Sequence, residues 1–178
     1  MSRRFRRLAL TLAVLAVLAS ASPLNAEASD RITPSPRLEL QVARRVNAVR
    51  RWYGLQTLRL SPALRATARG HSLEMGLRGY FDHESANGVP FWRRIEARYG
   101  SNGYSRWEVG ENLLWQSGAA TAAQVVRGWM ASPRHRDNIL SDSWRELGLG
   151  VLKVTRAGGT YGGRSVTIVT MDLGVRSH

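Results

Sequence analysis

Gly110-Glu111-Asn112-Leu113, then a run from Thr121 to Trp129-Met130, then Ser132-Pro133-Arg134-His135-Arg136-Asp137-Asn138-Ile139: this stretch organises the reading of the whole chain. Thr121 is a good helix N-cap, and Ala122, Val125, Val126 and Trp129 follow at helical spacing, so they form the buried face of one helix. Ser132-Pro133 ends that helix, because proline cannot continue it. Arg134 to Leu140 is expected as a short helix or turn carrying His135. Gly118 marks a turn before the helix, and the segment from Trp107 to Leu113 is assigned no regular element.

Upstream, Leu38, Val42, Val46, Val49 and Tyr53 recur at spacings of four and three and predict a helix with one apolar stripe. Arg44, Arg45, Arg50 and Arg51 fall off that stripe, and Gly54 stops the helix. Ser61-Pro62 gives an N-cap followed by proline at the first helical position, opening a second helix to about Leu77. Leu64, Ala68, His71 and Met75 share one face, so His71 points inward as a hydrogen-bonded core residue or, alternatively, as a ligand. Phe91 to Tyr99 is a third, short helix. It follows a loop with Tyr80-Phe81-Asp82-His83 at its start and a turn at Asn87-Gly88.

Downstream the period changes. Leu147, Leu149 and Val151 alternate with Gly148 and Gly150 as in a strand, Arg156 to Arg164 is a glycine-rich connection, and Val166 to Leu173 is β-branched and apolar enough for a central strand. Helices in the first two thirds and strands at the end make an α+β domain.

Of the 178 residues, 26 are basic and 13 acidic, and none is cysteine. Arginines at 3, 4, 6 and 7, an apolar run from Leu8 to Ala21, and small residues at Ala19-Ser20-Ala21 and Ala26-Glu27-Ala28 form the pattern of a secretory signal peptide. Residues 1–26 are therefore expected as that peptide, cut between 21 and 28; residues 27–37 as a linker; and residues 38–175 as one domain. An uncleaved membrane anchor is the alternative, and the apolar run is short for one. The chain is expected in the periplasm or outside the cell. Without cysteine there is no disulfide framework, thiol nucleophile or thiolate metal site. An arginine excess suits anionic membrane surfaces. No nucleic-acid module is present, and nucleic acid is not an expected partner.

On the Gly-Glu-Asn-Leu motif, the Ser-Pro-x-His segment and Tyr80-Phe81-Asp82-His83, the chain resembles the bacterial branch of the CAP superfamily: cysteine-rich secretory proteins, antigen 5 and pathogenesis-related 1, the SCP domain. The resemblance spans about Leu38 to Leu173. It implies a three-layer α-β-α sandwich, a small antiparallel sheet covered by helices on both faces. It also places Asn47 and Arg50 at an Asn-x-x-Arg pair of the first helix, and His83, Glu111 and His135 in one cleft. The family's second glutamate falls at Ser132 here, so an inherited two-carboxylate mechanism is in doubt.

Three readings of that cleft compete. His83, His135 and Glu111 are an acceptable ligand set for zinc or another divalent metal, which would support a hydrolase or peptidase. Glu111 and His135 could instead act as a catalytic acid–base pair without metal. The third is a non-catalytic binding module whose ligand is a lipid, a sterol-like molecule or a cell-wall fragment. Ser132 beside His135, and Trp107 and Trp115 flanking the Gly-Glu-Asn-Leu motif, are candidates to line the cleft. Glu84 and Glu108 are expected at the surface, and Arg136 is expected to pair with a carboxylate such as Glu146 or with an anionic ligand.

Overall fold

The computed structural model describes residues 32–178. The expected signal peptide and the first residues of the expected linker lie outside them. Five helices and five strands follow: β1 (Ile32–Pro34), α1 (Pro36–Trp52), β2 (Arg59–Leu60), α2 (Pro62–Arg78), α3 (Phe91–Glu96), β3 (Arg106–Ser117), α4 (Ala122–Ala131), α5 (Pro133–Leu140), β4 (Glu146–Ala157) and β5 (Arg164–Ser177). The expected linker is corrected at its end. Ile32–Pro34 pairs with Leu152–Val154 as an edge strand, and α1 starts at Pro36 rather than Leu38.

The sheet runs β1-β4-β5-β3, with β2 attached to β4. All pairings are antiparallel except the two-residue β2–β4 pair, which is parallel. β5 is central, as its β-branched sequence predicts, and β3 is a full-length edge strand paired with β5 along twelve residues. β3 is the element the sequence reading missed. Its register places Glu111 opposite Asp172, and its two faces bury Glu111 and Asn112 in turn, so it lacks the apolar alternation that marks a half-buried strand.

Two helical layers cover the sheet, and the α-β-α sandwich is confirmed. On one face Leu38, Val42 and Val46 of α1, Val125, Val126 and Trp129 of α4, and Ile139 of α5 pack on Leu147, Leu149, Val151, Val169, Met171 and Leu173. On the other face α2 and α3 contribute Met75, Leu64 and Ile95 against Leu152, Val154, Val166, Ile168 and Val109. Burying a side chain such as Leu64 or Ile168 contributes about 1.5–3 kcal/mol, so a core of this size holds without disulfides.

The expected N-caps Ser61 and Thr121 both stand at helix starts, and the third helix ends at Glu96 rather than Tyr99. Ser61 caps α2 with its side chain accepting from Leu64 N–H, Gly79 ends α2 in the left-handed conformation (φ 70), and Thr121 and Gln124 form a reciprocal capping box on α4. The alternating glycines of β4 have a sharper role than strand spacing alone. A Cβ on Gly148 would sit 2.1 Å from the Leu64 carbonyl carbon, and one on Gly150 would sit 2.3 Å from the Ala68 oxygen. These glycines let the α2 backbone rest directly on the sheet.

Candidate functional site

Glu111 projects from the middle of β3 toward the α2 side, and its carboxylate is buried. His83, in the loop between α2 and α3, donates from Nδ1 to Glu111 Oε1 at 2.8 Å. Arg94 of α3 holds the other carboxylate oxygen through Nη2. Its second nitrogen, Nη1, donates to the His83 carbonyl at 3.0 Å and the Ser85 hydroxyl at 3.3 Å. One guanidinium thus fixes both the carboxylate and the loop that brings the imidazole to it. Nothing in the sequence singled out Arg94, one of two adjacent arginines on a short helix.

His71 holds the same loop from below. It is fully buried on α2, and its Nε2 meets the Asp82 carbonyl at 2.9 Å, one residue before His83. Burial lowers its pKa first, against the opposing pull of Glu111. A neutral ring donating from Nε2 satisfies that contact and leaves Nδ1 without a partner. Of the two sequence readings the hydrogen-bonded core residue holds, and its bond is what anchors the site loop.

The other half of the cleft comes from the opposite face of the sheet. Asn112 Nδ2 donates to the His135 carbonyl at 2.9 Å, while Asn138 Nδ2 donates to the Glu111 carbonyl at 3.2 Å and to Asn112 Oδ1 at 2.8 Å. The adjacent residues Glu111 and Asn112 therefore reach opposite ways, one gripping the His83 loop and the other gripping α5. His83 and the His135 helix are thus held from opposite faces of β3 by neighbouring residues of that strand. Burial lowers the His135 pKa, and the nearby His83 lowers it further. The His135 ring makes no hydrogen bond among the described residues, and neither of its nitrogens is sealed from solvent.

Arg50 corrects another expectation. It does not lie off the apolar stripe but is wholly buried, donating from Nη1 to Ile139 O (2.8 Å) and Ser141 O (2.7 Å) and from Nε to Gln56 O (2.8 Å). It caps the C-terminal end of α5, the helix that carries His135. Asn47, its partner in the motif, pairs with both backbone groups of Leu58.

Several proposed cleft residues have other work. Trp107 donates its indole N–H to the Tyr99 carbonyl at 2.7 Å and packs with Leu64, Ile95 and Tyr99. Trp115 meets Tyr161 edge-on at 5.3 Å. Both are core packing rather than cleft wall. Ser132 ends α4 and begins α5, its side chain making no capping bond. Arg136 stacks over Tyr53 (5.9 Å) and donates to its hydroxyl, whereas Glu146 receives the Tyr99 hydroxyl at 2.6 Å and bridges Arg59, so the expected Arg136–Glu146 pair does not form. Glu84 and Glu108 are exposed, as expected.

Asp172 was missed although it stands out as the lone charge in the apolar run from Val166 to Leu173. It lies beside Glu111 across the β3–β5 pair and touches the Thr67 hydroxyl of α2. Complete burial, then the neighbouring Glu111 charge, raises its pKa well above the usual carboxylate range.

Among the described residues, no three His, Cys, Asp or Glu side chains gather as a metal-holding group. Direct ligation of one metal ion by His83, His135 and Glu111 together does not fit this arrangement. Both Glu111 oxygens are occupied, and a fixed guanidinium sits where a cation would approach.

A family model described as the cysteine-rich secretory protein family, CAP, matches residues 43–172. The chain belongs to the CAP family. It is a CAP domain without a single cysteine. It is 34% identical over 140 residues to YkwD of Bacillus subtilis, a match covering 76% of this chain and 52% of YkwD. It is 30% identical over 113 residues to the membrane protein YlbC of the same organism, covering 64% of this chain and 31% of YlbC. The chain thus matches only about half, or less, of those relatives' length. Among solved structures, an extracellular SCP-domain protein of Bacillus anthracis superposes with a TM-score of 0.58 at 23% identity, over 77% of this chain and 40% of that one. An outer surface protein of Borrelia burgdorferi superposes with a TM-score of 0.64 at 18% identity, over 82% and 98%. At these identities the likeness establishes the CAP fold. No helix among the described residues is long and apolar enough to cross a membrane.

Proposed function

We propose that this CAP domain is an exported, non-catalytic binding module whose cleft, at the free edge of β3, takes a polar ligand through the outward nitrogens of His83 and His135. One observation carries the reading: Glu111 is committed through one oxygen to His83 and through the other to Arg94. A carboxylate held this way, with no solvent exposure, orients an imidazole and is not presented to a substrate proton as a general base must be. Cell-wall fragments, with their amide and hydroxyl groups, match two hydrogen-bonding imidazoles better than a lipid or sterol does. Trp107 and Trp115, the candidate apolar walls, are occupied in the core. Export is supported by the basic-then-apolar N-terminal sequence and by the extracellular or outer-surface descriptions of the two structural relatives.

The test is an NMR titration of purified protein with muropeptides, following the ring resonances of His83 and His135. Saturable shifts of both rings are expected, together with loss of calorimetric muropeptide binding in a His83→Ala/His135→Ala variant. Shifts confined to other residues would refute the cleft as the binding site.

A second reading rests on the same hydrogen bond. An imidazole whose Nδ1–H is held by a carboxylate turns Nε2 outward in the manner of a metal-ligating histidine, with Glu111 behind the imidazole rather than on the metal. His135 would be the second ligand. Arg94 favours the metal-free reading, because it neutralises the carboxylate that would otherwise draw a dication into the cleft.

A further inference from the structure

The arginines are distributed unequally between the two helical layers. On the α2/α3 side most are paired: Arg65 and Arg69 with Glu39, Arg78 with Glu74, and Arg94 with Glu111, while the exposed Arg93 stacks on Trp92 and the exposed Arg98 has no ion pair among the described residues. In the α1/α4/α5 layer they are not. Arg37, Arg44, Arg45 and Arg51 are exposed, and among the described residues none forms an ion pair. The only carboxylate of α1, Glu39, is buried beneath the α2 arginines, so it gives the outer face of its own helix no counter-charge.

Spacing sets these arginines in a row. Positions 37, 44 and 51 fall in one line along α1, opposite the buried Leu38, Val42 and Val46, and the exposed Arg45 and Trp52 flank that line. The row ends in Trp52, which is 87% exposed and is the most exposed large apolar side chain of the described residues, with Tyr53 next to it. Arg127 of α4 and Arg134 and Arg136 of α5 extend the same layer, and the one exposed carboxylate of its three helices is Asp137.

We propose that this face docks on a membrane surface bearing anionic phospholipid, with the arginines on the phosphates and Trp52 in the headgroup region. Each arginine near such a surface adds about 1 kcal/mol of attraction, and an exposed tryptophan with an apolar body and a polar N–H is suited to the interface. α5 carries both His135 and two of the arginines, so docking brings the rim of the cleft to the lipid surface. This inference does not depend on what the cleft binds.

The experiment is co-sedimentation of the full chain with phosphatidylglycerol–phosphatidylcholine vesicles and with pure phosphatidylcholine vesicles. Anything contributed by residues 1–31 is common to every variant. Wild type is expected to bind the anionic vesicles and to be released by high salt. Arg44→Glu/Arg45→Glu/Arg51→Glu should weaken binding at least about tenfold, while Arg78→Glu/Arg93→Glu/Arg98→Glu, the same charge change on the other layer, keeps it within about threefold. Brominated lipid should quench tryptophan emission in wild type and much less in Trp52→Phe. Equal losses in the two triple variants would overturn the proposal, since net charge alone would then govern binding. So would absence of vesicle binding, or retention by single-stranded RNA with the vesicles left unbound.

Discussion

Arg94 is the side chain on which the histidine–glutamate arrangement depends. The Glu111 carboxylate has no solvent exposure, so removing its cation strands a buried negative charge. Arg94→Met is expected to cost about 3–5 kcal/mol in urea denaturation, the usual penalty for breaking a buried pair from one side, and Arg94→Lys should recover only part of it. Asp172 gives the pH counterpart. Its folded-state pKa is raised by burial and by Glu111, so between about pH 4, where the unfolded carboxyl ionises, and that raised value the folded state binds the extra proton. Stability contributed by this group is therefore present at low pH and is lost as pH rises. Asp172→Asn should remove that loss and stabilise the protein at neutral pH relative to wild type; an unchanged pH dependence in denaturant titrations would show that Asp172 is ionised. Single residues were the least legible scale. His83, Glu111 and His135 could be placed by motif, but Arg94, Asp172 and the inward turn of Arg50 follow from contacts distant in sequence.

At the scale of elements, caps and helical periodicity located α1, α2 and α4 because those signals are local: the apolar stripe of α1 ended by Gly54, Pro62 after Ser61, and Thr121 before Ala122, Val125, Val126 and Trp129. β3 escaped because it is a polar edge strand whose partners are β5 and the side chains of α4 and α5. Trp129 donates to the Leu113 carbonyl at 3.0 Å and Asn138 to that of Glu111, so helix side chains satisfy carbonyls an edge strand would otherwise leave free. The glycines of β4 were read as strand residues, but their reason for being glycine is the α2 backbone above them. Gly150→Ala should therefore destabilise by about 3 kcal/mol, the upper range for overpacking, because the obstructing atoms are backbone and cannot rotate away. A chemical-denaturation midpoint near wild type would mean that α2 shifts freely on the sheet.

At the scale of the molecule, the adjacent Glu111 and Asn112 of β3 tie the His83 loop to one face of the sheet and the His135 helix to the other, so the proposed cleft requires both layers to be docked. The architecture was legible in the order of helices and strands, and three motifs supplied the residues of the candidate site. The state of the site was not legible, because a carboxylate free to bind metal and one locked by arginine have the same Gly-Glu-Asn-Leu signature. The most direct test of that state is calorimetric titration of zinc into metal-stripped protein, beside the His83→Ala/His135→Ala variant. With Glu111 held by Arg94 and His83, wild type and variant are predicted to give the same featureless heats. Saturable, micromolar binding by the wild type that disappears in the variant would contradict this account and make the cleft a metal centre.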